Sequence, residues 1–277
     1  YFSGDFYQAA PQFERAATAF LEETTGNYFE SSSARLFSLY AWGRHGKWRT
    51  FDKRFEEYLR DARRRGDRYF EATLVRFGHH AYLAHGRPDY AKAEISRVIW
   101  PTPEGAFHVQ NWHELEAHCQ IALYEGKSQD ALKTQAAAFQ GLEHSLLLRV
   151  QIVRSLAHWL KARLLVAAAP KMGENAPVYL RQAQKLCKKL EKEKVVTYPR
   201  VFAALIRPAI TLQQGKRAQA IIELKTTVNL AEENHLLFQA AAAKHRLGQL
   251  LGHDTKEGQT LFQTSMTYAQ EEGIKEP

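Results

Sequence analysis

The 277-residue sequence predicts an all-α fold: a right-handed superhelix, or solenoid, of antiparallel helix pairs with a period near 40 residues. Three observations predict it. A glycine turn recurs at Gly4, Gly46, Gly86, Gly126 and Gly215, at intervals of 42, 40, 40 and 89 residues, the last close to two periods. Four of the five continue as Gly-x-x-x-x-Ala, reaching Ala9, Ala91, Ala131 and Ala220. Between the turns, apolar residues return every three or four positions, the spacing of one helical face. No segment sustains the period-two alternation of a strand between hairpin turns. A single helix hairpin cannot bury its apolar face alone, so hairpins repeated at this period are expected to stack.

Each element follows from the same signals. Residues 5–22 read as a first helix whose partner would lie upstream. Leu36, Leu39, Tyr40 and Trp42 lead to Gly46, and 47–65 forms the partner helix. Leu74, Phe77, Ala81 and Tyr82 lead to Gly86 and a partner at 88–98; Leu115, Ile121, Leu123 and Tyr124 lead to Gly126 and a partner at 127–141. Glycine ends each leading helix because it takes the left-handed conformation. The small Ala five residues on lies in the second turn of the next helix, where the two can approach closely. Residues 144–169 are predicted as one helix of roughly 39 Å. Its apolar stripe is Leu146, Val150, Val153, Ala157, Leu160 and Leu164. A helix at 175–194 follows. The next begins after Thr197, with Pro199 welcome in its first turn and Pro208 inside, where a kink is expected. Helices at 216–233 and 255–272 complete the chain. Breakers lie between them at Arg65-Gly66-Asp67, Pro101-Thr102-Pro103, Pro170 to Gly173 and Glu272-Gly273.

Composition places the chain among folded proteins, with 45% hydrophobic and 25% charged residues. No stretch approaches the roughly 18 apolar residues of a membrane span. The start Tyr1-Phe2-Ser3-Gly4 has neither an initiator methionine nor a signal pattern, which predicts a single repeat domain over 1–277 taken from the C-terminal part of a longer protein. Cys119 and Cys187 lie far apart in helical patterns, as expected of reduced cysteines in a cytoplasmic protein.

No motif predicts catalysis. His113-Glu114-Leu115-Glu116-Ala117-His118 spaces its histidines five apart, whereas a zinc-protease helix needs four. His79, His80 and His85, and Cys119 beside His118, lack a matching distant cluster and adjacent helical residues diverge. Arg65-Gly66-Asp67 is explained by its turn. No phosphate-cradling loop or nucleophile elbow occurs. No cofactor or metal is therefore expected.

Charge is uneven. Residues 1–140 hold 18 basic and 18 acidic residues, while 144–217 hold 15 basic against 3 acidic, a balance of +12. At about 100° per residue, Arg154 and Lys161 flank one edge of the 144–169 stripe and Arg149 and Arg163 the other. Lys185, Lys188 and Lys189 crowd the next helix. These seven residues form the candidate site for an anionic partner, with a solvated charged face as the alternative. Aromatics suited to base stacking are sparse nearby (Trp159, Tyr179, Tyr198, Phe202), which argues against single-stranded nucleic acid.

Gly4-Asp5-Phe6-Tyr7-Gln8-Ala9 and Leu123-Tyr124-Glu125-Gly126 resemble the inter-helix turn of tetratricopeptide repeats, though a period near 40 exceeds that family's 34. Nearly the whole chain resembles the C-terminal helical-repeat region of large bacterial serine/threonine protein kinases that also carry an ATPase-like module. The residues concerned are Thr25-Gly26, Leu36-Phe37-Ser38-Leu39, Arg65-Gly66-Asp67, Gly105-Ala106-Phe107-His108-Val109-Gln110, Ser145-Leu146-Leu147-Leu148-Arg149-Val150-Gln151 with Arg154, and Glu272-Gly273-Ile274-Lys275-Glu276-Pro277. The resemblance implies a bacterial signalling parent and an interaction role. Expected partners are a protein or peptide, other domains of the parent included; nucleic acid is the lesser alternative, and no membrane is expected. The resemblance transfers no catalytic residue.

Overall fold

A computed structural model describes residues 4–103 and 105–275. The Tyr1-Phe2-Ser3 start and the Glu276-Pro277 end of the last motif lie outside the described residues. Among the described residues the regular structure is helical, with no strand. In chain order come α1 (Phe6–Glu22), α2 (Tyr28–His45), α3 (Trp48–Arg65), α4 (Arg68–Phe77), α5 (His79–Ala84) and α6 (Pro88–Arg97). Then follow α7 (Val109–Tyr124), α8 (Ser128–Thr134), α9 (Ala136–His144), α10 (Gln151–Ala168) and α11 (Ala176–Glu191). The last are α12 (Tyr198–Gln213), α13 (Arg217–Glu233), α14 (Leu237–Leu251) and α15 (Lys256–Glu271). The five repeat glycines all take positive φ, between 67° and 96°, as the turn reading requires. Ala9, Ala91, Ala131 and Ala220 are all buried.

Three expected helices are divided. The helix leading to Gly86 breaks at Gly78, between α4 and α5. The 127–141 segment breaks at Gln135, between α8 and α9. The 144–169 helix is not continuous: Ser145 and Val150 are extended and bracket a short 3-10 turn, Leu146–Arg149, ahead of α10. The Ser145 hydroxyl accepts from the Leu147 amide, giving the backbone a partner that a continuous helix would not offer. The stripe is shortened accordingly. Leu146 is 69% and Val150 42% exposed, whereas Ala157, Leu160 and Leu164 are buried. Pro208 does not end its helix, and α12 runs through it from Tyr198 to Gln213. A second interior proline, Pro11, is carried by α1.

Neighbouring helices in sequence pack on one another, and the chain also returns to its own beginning. The Tyr268 hydroxyl of α15 donates to the Gly46 carbonyl. Glu272 accepts from the Lys47 ammonium (3.0 Å) and from the Arg49 amide (3.1 Å), so a carboxylate from the chain's far end caps the first turn of α3. His45 Nδ1 donates to the His235 carbonyl at 2.7 Å, and the Lys275 amide to the Ala84 carbonyl at 2.8 Å.

Gly46 sits at the centre of this closure. Its φ is +96°, and a Cβ there would stand 2.6 Å from the Phe238 amide nitrogen and 2.7 Å from the Tyr268 hydroxyl. Gly126 has a similar backbone (φ +69°) but open space around it. Gly46→Ala should therefore cost about 3 kcal/mol, backbone strain plus overpacking, and Gly126→Ala only about 1. Urea unfolding of the two variants checks this. Equal losses would mean that the terminal closure does not form in solution.

Candidate binding cavity

Four helices turn one face each toward a common cavity of about 290 Å³. From α2 come Phe37, Tyr40 and Arg44, spaced three and four apart; from α4, Tyr69, Thr73 and Phe77, spaced four apart. In α7, Trp112 and His113 stand four and three residues before Glu116, so each set lies on one side of its helix. Leu147 of the 3-10 turn, with Val150, Val153 and Leu156, closes the fourth side. The walls are apolar and the floor is polar, the composition expected of a ligand cavity.

The floor is a network of buried charge. Arg44 contacts Glu116 at 3.4 Å, with side chains 8% and 4% exposed. The Tyr40 hydroxyl and His113 Nε2 lie 2.8 Å apart. Gln110 donates to the Thr73 hydroxyl. Behind these, Arg76 donates twice to one Glu114 oxygen, at 3.1 and 3.2 Å. His79 Nδ1 donates to the Arg76 carbonyl at 2.6 Å. Some buried polar atoms have no partner, among them His79 Nε2, His113 Nδ1 and Gln110 Oε1.

Burial dominates the proton equilibria here. It holds His79 down to about 4 and His113 down to about 3, and the neighbouring guanidiniums push the same way, Arg44 on His79 and Arg76 with Arg44 on His113. His80 is likewise held well below its usual value, by burial first and then by His79 and Arg44. Burial raises Glu116, against the pull of Arg44 and Arg163. Arg163 keeps part of its side chain at the surface, yet burial and the nearby Arg44 bring its guanidinium down to about 10.

The seven basic residues read from the sequence divide into three with intramolecular partners and four without an ion pair among the described residues. Arg154 grips Glu193 with two nitrogens, at 2.7 and 2.9 Å, and also donates to the Leu148 carbonyl. Lys161 pairs with Glu143 at 2.8 Å and lies over the Phe139 ring. Arg163 points inward, donating to Gln120 at 2.8 Å and stacking 4.7 Å over Trp159. Arg149, Lys185, Lys188 and Lys189 remain exposed, and none of the four makes an ion pair among the described residues. Of the other histidines, His85 pairs with Asp52 at 3.0 Å and His118 faces Glu114, while the His79 and His80 rings lie 3.9 Å apart.

Sequence reasoning missed Arg44 and Glu116, and took His113 only as a failed metal motif. The available signal was Tyr40 and Arg44, set three and seven residues after Phe37 on one helical face. No helix among the described residues is long and apolar enough to cross a membrane. No family model, curated protein or solved structure matches this chain.

Proposed function

We propose that the chain is a non-catalytic helical-repeat scaffold, a right-handed solenoid of tetratricopeptide-like pairs whose inner wall binds a protein or peptide. The observation that carries this reading is the convergence of α2, α4, α7 and α10 on one apolar cavity. In the repeat scheme read from the sequence these helices lead successive pairs, and stacked pairs would present them along one extended surface. In this reading the partner is a segment of another protein or another domain of a longer signalling protein, a bacterial serine/threonine kinase by the sequence resemblance. The exposed Lys185, Lys188 and Lys189 of α11 favour a second reading, an anionic partner held on the outer face.

A photo-reactive phenylalanine at Val150, on the cavity rim, tests the first reading against the second when compared with the same label at Lys188. The scaffold reading expects one defined polypeptide cross-linked from Val150, lost when Leu147 is replaced by Glu, with none from Lys188. Cross-linking from Lys188 alone would overturn it in favour of the outer face.

A further inference from the structure

We propose that the cavity between α2, α4, α7 and α10 is a binding site for a small free monocarboxylic acid with an apolar body, the carboxylate held by Arg44. This goes beyond the scaffold reading and needs no macromolecular partner.

The first support is the state of Arg44 itself. It lines the cavity and is 7% exposed. A guanidinium carries five N–H donors, and among the described residues Arg44 spends them on one long contact, 3.4 Å to Glu116. No Arg44 nitrogen is both sealed off and unpartnered. Its unspent donors therefore open on the cavity space.

The second support is the balance of charge. Buried Glu116 answers two guanidiniums, Arg44 and the partly exposed Arg163, while the half-exposed Glu114 is taken by Arg76, and His79 and His113 are kept neutral by burial. An uncompensated buried charge costs several kcal/mol, and one bound monoanion would cancel it. A doubly charged phosphate would overshoot. A carboxylate also matches the planar fork of a guanidinium.

The third support is placement: Tyr40 and His113, 2.8 Å apart, line the same cavity as Arg44, so a few polar groups face an otherwise apolar space. Size completes the argument. At roughly 30 Å³ for each water-sized unit, the cavity of about 290 Å³ holds about ten non-hydrogen atoms. The Phe37, Phe77 and Trp112 rings favour an aromatic or branched body.

Calorimetric titration of the purified protein with 4-phenylbutyrate and with 4-phenylbutyramide tests the proposal. The two ligands share a body and differ in charge. Wild type should bind the acid at least about tenfold more tightly than the amide. In Arg44→Gln/Glu116→Gln, which removes both charges and leaves hydrogen-bonding groups on the floor, that preference should vanish. Equal binding of acid and amide by wild type would overturn the proposal. So would no binding of the acid at millimolar concentration, or an undiminished preference in the double variant. Tighter binding of a phenylalanine-terminated peptide than of the free acid would replace the small ligand by a polypeptide end. The wild-type comparison stands even if the variant folds poorly, and none of these outcomes bears on cross-linking from Val150.

Discussion

The protein should lose about 4 kcal/mol of unfolding free energy between pH 6.5 and pH 5. His79 and His113 are buried at 0% and 6% exposure, and burial holds them at about 4 and about 3 in the folded state. In the unfolded chain both return to about 6.5. Their folded values are depressed, so the stability is complete above pH 6.5 and is lost as pH falls toward the folded values. Each pH unit in that window costs about 1.4 kcal/mol per histidine, hence roughly 2 kcal/mol each at pH 5. Against a total of about 5–15 kcal/mol for a typical domain, the loss is large. His80, His158, His45 and His245 act with the same sign. Glu116 acts with the opposite sign, because its raised folded value makes protonation favour the fold as pH falls. The carboxylates whose values are lowered by guanidiniums, Asp61 and Glu94 among them, lose stability only at more acid pH. Urea unfolding across this range measures the slope, and His79→Gln/His113→Gln should remove only part of it. A wild-type profile that stays level from pH 7 to pH 5 would place these imidazoles in water rather than in the core.

Helices and their turns were legible in the sequence because both depend on short-range chemistry. Three-four spacing marks a buried face wherever the chain folds, and a glycine needed for positive φ is visible as itself, as at Gly46, Gly86 and Gly126. The divisions at Ser145 and Gln135 were not legible. An apolar stripe continues through them on paper, whereas a serine hydroxyl accepting from an amide two residues on changes the backbone without changing the pattern. The closure of the chain's end on its beginning was hidden for a different reason. Glu272 and Arg49 are 223 residues apart, and neither carries a local mark of the other. The candidate site shows the same limit. A balance of +12 over 144–217 counts charges but not their partners, so Arg154 and Lys161 looked available although Glu193 and Glu143 claim them. Arg44, in the half of the chain where charge sums to zero, drew no notice, yet it is the cation that lines the cavity.

The largest single-residue loss is expected at Glu116, and it should exceed the loss at its own partner. Glu116→Leu leaves Arg44 and Arg163 facing each other across an interior with no carboxylate between them. Breaking a buried pair by removing one member typically costs about 3–5 kcal/mol, because the remaining charge is left uncompensated. Here two guanidiniums are left, which puts Glu116→Leu at the upper end of that range. Arg44→Met is milder, since Glu116 still faces Arg163 and can take up a proton at the raised pKa that burial gives it. About 2 kcal/mol is expected. The double variant Arg44→Met/Glu116→Leu should recover most of the loss. It leaves Arg163 with the Gln120 carbonyl at 2.8 Å and the Trp159 ring beneath it, and it replaces a long 3.4 Å contact by apolar packing. Buried ion pairs exchanged for apolar residues of similar volume are often neutral or stabilising. A thermodynamic cycle from urea unfolding therefore has a definite form: a deep minimum at Glu116→Leu, a shallower one at Arg44→Met, and a double variant above both. If the two single losses are equal and simply add in the double variant, the three groups do not share one buried network. The excess positive charge proposed to hold a carboxylate would then have no basis.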